Sequence, residues 1–256
     1  VTQEWLAFET EIARWRDGGA AVEFWLRDDD AATLTEPLSR LLELAAAAQV
    51  PLALAVVPDW AAEGWLGELP GGVDVLQHGV DHRNRAAPQC KKAEFTAGEP
   101  LDAALRRLAE GKARLAALSR GRLLPVLAPP WNRFPGELVP HLTGAGFRGL
   151  SAYGARPAPN AAPGLTQVNT HVDLIDWRQG RGFVGEETAL RLAVRHLAAR
   201  RARLVDEGEP TGWLTHHASH DEASWAFLAK LFELTQRMAG VRWRRAADLF
   251  VASGVS

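Results

Sequence analysis

An α/β barrel, with parallel strands inside and helices outside, is the fold this sequence predicts. Three observations point to it. Short apolar runs alternate with longer amphipathic segments along nearly the whole chain, the pattern of βαβ units joined by right-handed crossovers. The length, 256 residues, suits one such barrel. Five polar or conformationally rigid clusters each follow an apolar run, and the carboxyl ends of barrel strands are where catalytic groups collect. The competitor, an open doubly wound sheet, lacks support because no Gly-rich turn follows the first strand.

The elements read as follows. Residues 1–19 carry Trp5, Phe8, Ile12 and Trp15 at helical spacing with acids between, an amphipathic N-terminal helix. Residues 22–26 form the first strand, and 36–48 a helix with Leu38, Leu41, Leu42 and Ala45 on one face. The run 51–57 is almost continuously apolar, as in a strand buried on both sides. A short helix at 60–66 and a strand at 73–77 come next. Residues 83–100 are polar and aperiodic, and functional loops are the usual home of such length. Leu105, Leu108, Leu115 and Leu118 recur at three and four, which predicts a helix over 101–118. The chain continues as strand 123–127, helix 137–145, strand 147–151, a Pro/Ala-rich surface loop 155–164 and a strand at 168–172. Helix 186–205, strand 212–217 and helices 224–238 and 244–251 end it. About seven strand–helix units and no repeat or linker predict one domain spanning 1–256, with 1–19 as its N-terminal helix.

Composition narrows the function. The formal net charge is -2, so no global field recruits nucleic acid or an anionic membrane. The basic stretch 195–203 reads as a solvated helix end whose cations suit the dipole. Cys90 is the single cysteine, which rules out an intrachain disulfide and a thiolate-rich metal site. No run of about 18 apolar residues predicts a membrane span. The N-terminus resembles an amphipathic helix more than a signal peptide, which favours a cytoplasmic protein. The chain does not begin with methionine, so a removed leader stays open.

The chemistry gathers at the predicted strand ends. Asp28, Asp29 and Asp30 follow the first strand, and His78-Gly-Val-Asp-His82 ends the strand near Val73. Pro129-Pro130-Trp131-Asn132-Arg133 follows the strand at Leu124. Asp173 and Asp176-Trp177 follow the strand near Val168, and His216 and His217 end the last. Adjacent carboxylates plus two histidines four apart supply the N/O ligands of a catalytic zinc-like site, in which three protein ligands leave a fourth position for water. An aspartate beside the ligand is then available as a general base. Each cluster also has a plain structural reading: three aspartates suit a helix N-cap region, and a single HxxxH is often incidental. Tryptophans on helices, Trp60, Trp65 and Trp225 among them, read as core, whereas Trp131 and Trp177 sit inside site motifs.

These motifs resemble the polysaccharide deacetylase superfamily, the NodB-homology proteins of carbohydrate esterase family 4 type. The resemblance spans roughly 22–217 and implies a distorted (β/α)7 barrel. That family's first motif pairs a base aspartate with a ligand aspartate. Asp29 as base and Asp30 as ligand is the preferred register, since small Ala31 then stands where the family has glycine; Asp28 with Asp29 is the alternative. His78 and His82 match the second motif as the other ligands. The third, Arg-x-Pro-aromatic, is degraded to Ala128-Pro129-Pro130-Trp131, so an arginine is missing. Asp173-Leu-Ile-Asp176-Trp177 matches the fourth and Leu214-Thr215-His216 the fifth.

The resemblance implies a metal-dependent hydrolase that removes acetyl groups from an N-acetylated (or O-acetylated) carbohydrate. One divalent ion, zinc by preference and cobalt or nickel otherwise, would be held by Asp30, His78 and His82. His216 would protonate the leaving amine, with Asp173 or Asp176 keeping it charged and His217 ranked second. Arg27 or Arg133 would replace the missing arginine beside the base, and Pro130, Trp131, Trp177 and Leu214 would line the acyl pocket. Two alternatives share the motifs: a hydrolase of another linear or cyclic amide, and a non-catalytic carbohydrate-binding relative.

Overall fold

The computed structural model describes residues 2–250. The end of the expected helix 244–251 and the first residue of the N-terminal helix lie outside the described residues. Chain order gives α1 (Gln3–Asp17), β1 (Val22–Ala31), α2 (Glu36–Ala47), β2 (Leu52–Val56), β3 (Val73–His78), α3 (Leu101–Ser119), β4 (Leu123–Ala128) and β5 (Gly149–Leu150). Then follow β6 (Asn160–Ala162), β7 (Leu165–Gln167), β8 (Val172–Asp173), α4 (Glu186–Arg201), β9 (Thr211–Thr215), α5 (Glu222–Arg237), β10 (Val241–Trp243) and α6 (Ala246–Phe250).

The sheet is mainly parallel and runs β6-β7-β5-β4-β3-β2-β1-β9-β8, with β10 beside β1. β7 and β8 are two ends of one stretch. Val168 and Thr170 donate backbone N–H groups to Leu150 and Ala152 on one side, while His171 and Leu174 donate to Gly212 and Leu214 on the other. Counted so, seven parallel strands, with the short β10 paired parallel to β1 beside them, make an α/β fold of distorted (β/α)7 barrel type.

Alternation along the strands sorts side chains into two layers. Leu52, Leu54 and Val56 of β2 pack outward with Val22, Phe24 and Leu26 of β1 beneath α1, α2, α4 and α5. Ala53 and Ala55 turn inward with Trp25, Leu76, Val126, Ala128 and Val168. Phe250 of α6 fills this interior from the amino ends of the strands, its ring 6.0 Å from Trp25. The carboxyl ends are thereby left for the polar clusters.

Several expectations need correction. The helix expected at 137–145 is a 3-10 turn over Gly136–His141, because Pro140 lacks an N–H and stops an α-helical ladder. The helix expected at 60–66 is replaced by 3-10 turns at Pro58–Trp60 and Leu66–Glu68. The loop expected at 155–164 contains β6, which turns at Pro163-Gly164 (φ +72° at Gly164) into antiparallel pairing with β7. The strand expected at 168–172 is the stretch that joins β7 to β8, and β10 precedes a final helix that begins at Ala246, later than expected. Trp60 is 46% exposed, so it is no core residue, while Trp65 and Trp225 are buried.

Candidate metal centre

β1 runs on through the three aspartates instead of stopping before them. Trp25 faces the barrel interior, so Arg27 and Asp29, two and four residues on, face it too. Asp28 lies on the opposite face. The register with β2 then breaks between Asp28 and Ala31, and Asp30 takes φ +68°. That left-handed residue (aspartate is among the few side chains that tolerate it) swings its carboxylate towards the end of β3.

There it meets two imidazoles. Asp30 Oδ1 lies 3.2 Å from His78 Nε2 and 3.2 Å from His82 Nε2. The three ligand atoms lie within 4.8 Å of one another. Asp30 Oδ1 is buried and accepts no hydrogen bond. A tetrahedral ion with bonds of about 2.0–2.1 Å separates its ligand atoms by about 3.3–3.4 Å, so the spacing fits. The His78 ring is set by its far side: Nδ1 lies 2.9 Å from the Ala128 carbonyl oxygen. A carbonyl can only accept, so Nδ1 carries the proton and the Nε2 lone pair is free for an ion. The donor set therefore suits a divalent metal of the N/O-ligated kind.

Electrostatics agree. Burial raises the Asp30 carboxyl, but the two imidazoles outweigh it and hold the group far below the usual carboxylate range. Burial works against charge on His78, yet Asp29 and Asp30 raise it above the ordinary histidine value. A position that so favours positive charge beside these carboxylates is one a cation can take.

Asp29 is held by Arg27. The guanidinium lies 2.8 Å (Nε to Oδ1) and 3.0 Å (Nη2 to Oδ2) from the carboxylate, and both side chains are buried. Arg27 also donates to Ser151 Oγ at 2.6 Å and its carbonyl at 3.0 Å, and to Asn132 Oδ1 at 2.6 Å. Trp131 and Asn132 take φ +55° and +56°, a left-handed turn that aims Asn132 at Arg27. The same turn lays the Trp131 ring 4.4 Å from that of His82, and buried Pro130 packs on Gly79. Arg133 does not share this role. It is exposed and donates to the Lys92 carbonyl at 2.8 Å, because the turn points it away from the site.

Across the opening, Leu214 of β9 is buried beside Asp173 of β8. His216 Nδ1 lies 4.0 Å from Asp173 Oδ1, and its ring meets Trp177 edge-on at 4.6 Å. Trp177 Nε1 donates to Asp173 Oδ2 at 2.8 Å, tying the two together. Burial raises the Asp173 carboxyl, opposed by His216. Asp176 is not the partner of His216: it accepts the N–H groups of Arg178 and Gln179 and shapes the loop. His217 turns away to Asp28, with Nδ1 2.5 Å from Oδ1 and its N–H on Oδ2 at 2.8 Å. Burial works against charge on His217, but Asp28 raises it above the ordinary value. Asp28 is thus occupied by His217 and lies apart from the Asp30 cluster.

Sequence reasoning missed Ser151, Asn132 and Glu94, whose partners are remote in sequence. The one available signal was Gly79: a side chain there would collide with Glu94 and Pro130.

No family model matches the chain, and no curated protein is similar in sequence. Solved structures are similar in fold. An allantoinase, Puue, superposes with TM-score 0.61 at 15% identity, over 91% of this chain and 90% of that one. A putative polysaccharide deacetylase from Mycobacterium smegmatis gives 0.59 at 15%, over 90% and 89%. The Bc1960 peptidoglycan N-acetylglucosamine deacetylase gives 0.55 at 14%, over 93% and 96%. The chain has the polysaccharide deacetylase fold. Within this fold, Asp30, His78 and His82 lie at the carboxyl end of the parallel strands. Among the described residues no helix is long and apolar enough to cross a membrane.

Proposed function

We propose that this chain is a metal-dependent hydrolase that removes acetyl groups from an N-acetylated (or O-acetylated) carbohydrate. One observation carries the reading: an unpartnered buried carboxylate oxygen 3.2 Å from two imidazole nitrogens, at the strand ends of a deacetylase-type barrel. Asp30, His78 and His82 would hold one divalent ion, zinc by preference with cobalt or nickel as substitutes. Such an ion polarises an acyl carbonyl and lowers the pKa of a water.

The remaining steps belong to the chain. Asp29 takes the proton of the attacking water. Arg27 fixes this base in place, standing in for the arginine that Ala128 displaces from the third motif. A backbone N–H near Trp131 would hold the developing oxyanion. His216 protonates the departing group, with Asp173 beside its ring. Leu214, Trp131 and Trp177 exclude water around the acyl group. The whole chain, 1–256, would form one such catalytic domain.

Acetate release from N-acetylated and O-acetylated oligosaccharides, with and without a chelator, tests the proposal. Chelator-sensitive release is expected. Hydrolysis of a cyclic ureide or another small amide instead would favour the second reading, for which the allantoinase likeness is the motive. Binding of glycans without chelator-sensitive turnover of either class would overturn both.

A further inference from the structure

The two ligand histidines, four apart, do not sit on a helix. His78 ends β3, and the chain then turns through Gly79 (φ +57°) and His82 (φ +53°). Something other than a helical ladder has to hold this loop: Gln77 and the Asp59 N–H donate to the Gly79 and Val80 carbonyls, and one buried carboxylate accepts the N–H groups. Glu94, from the long loop after β3, is fully buried. Its Oε1 accepts the N–H groups of Val80 at 2.9 Å and Asp81 at 3.2 Å, and its Oε2 accepts that of His82 at 3.2 Å. Three successive backbone donors thus converge on one carboxylate, a small anion nest. Arg107 of α3 donates to the same carboxylate at 3.1 Å and anchors it to the helix. A Cβ at position 79 would stand 2.1 Å from Glu94 Oε2, so only glycine admits the carboxylate.

We infer that Glu94 is a positioning residue that folds the 79–82 loop so that His82 Nε2 faces Asp30 and His78. The inference rests on the metal reading above. Without the carboxylate the three N–H groups lose their common acceptor, and the left-handed conformation at His82 loses its backbone anchor. The polar loop 83–100 thereby gains a structural role, since it carries an acid back under the ligand loop.

Glu94→Gln is the decisive variant, because it keeps size and shape. In either orientation its amide NH2 faces at least one of the three backbone N–H groups, donor against donor. Glu99→Gln is the control: Glu99 also pairs with Arg107 but bonds none of residues 80–82. The measurements are zinc affinity of the chelator-stripped protein by competition titration, the visible spectrum with cobalt, and the melting temperature of the metal-free form. Glu94→Gln should weaken zinc about tenfold or more and shift the cobalt bands. Glu99→Gln should leave both unchanged, whatever it does to melting. Equal zinc affinity in Glu94→Gln and the unaltered protein would overturn the inference alone, as would equal weakening in Glu99→Gln. Failure of the unaltered protein to bind either metal would overturn the metal reading and this inference with it.

Discussion

Among the described residues are two clusters of two histidines and a carboxylate with ligand atoms within 4.8 Å: Asp30, His78 and His82, and His171, His196 and Glu209. By residue type they are the same site, and chemically they are opposites. In the first, His78 Nδ1 faces a carbonyl, so the lone pair is on Nε2, towards the cluster. In the second, His171 Nδ1 accepts the Gly212 N–H at 3.0 Å. Nδ1 then holds the lone pair, the proton is on Nε2, and an ion there would meet N–H. Glu209 already accepts the N–H groups of Arg156 and Asn169 at 2.8 Å each, whereas Asp30 Oδ1 accepts none. Arg200 and Arg156 lie near enough to the second cluster to oppose positive charge on His171. Its imidazoles stack at 3.5 Å, 17° apart, as neutral rings can. Ligand type and distance are thus insufficient, and the partner of the far ring nitrogen decides.

The largest expected effect separates the clusters outright. The purified protein should hold one equivalent of divalent metal. Asp30→Ala and His78→Ala should each lose it and nearly all turnover, while His196→Gln should keep it. Elemental analysis of the variants reads this directly. Loss of half of two equivalents on substituting His196 would break the comparison.

Next in size is the base. Asp29→Asn should retain the metal and lose roughly a hundred- to ten-thousand-fold in kcat. Metal loss in that variant would instead revive the register in which Asp29 is a ligand. Arg27→Met removes the buried guanidinium that fixes the Asp29 carboxylate, so kcat should fall while the metal is retained. Breaking one side of a buried pair also costs stability, on the order of 3–5 kcal/mol. The exposed Arg133→Ala should change neither.

These contrasts mark what was legible in the sequence. The strand-end positions of Asp30, His78 and His216 follow from apolar run lengths and the α/β alternation, which are local signals. The choice between Arg27 and Arg133 was not legible. It depends on two left-handed residues, Trp131 and Asn132, that steer Asn132 inward and Arg133 outward. Glu94 was hidden for the same reason: its partners lie 12 to 14 residues upstream and are backbone groups, which carry no residue-type signature. The hairpin of β6 and β7 was obscured by composition, since Ala and Pro are poor strand formers and its turn signal is only Pro163-Gly164. The second histidine cluster had no signal at all, because His171, His196 and Glu209 come from three separate elements.

The smallest effect sharpens the comparison through pH. Burial lowers His171, and burial with His171, Arg200 and Arg195 nearby lowers His196 to about 2. Glu209 is the one opposing group of the set. Unfolded histidines titrate near 6.5, so below that pH the unfolded chain binds protons that the folded cluster refuses. The contribution of these residues is therefore complete above about pH 6.5 and is lost as pH falls, by up to about 1.4 kcal/mol per pH unit for each. His196→Gln should flatten the dependence of the urea midpoint on pH between about 6.5 and 5. His78 and His217, raised in the folded state, act with the opposite sign but are common to both proteins, so the difference isolates the cluster. A chelator should leave this difference unaltered, since the rings are proton-bearing and not ion-bearing. An unchanged slope in His196→Gln, or a slope that a chelator alters, would return His171, His196 and Glu209 to contention as a second ion site.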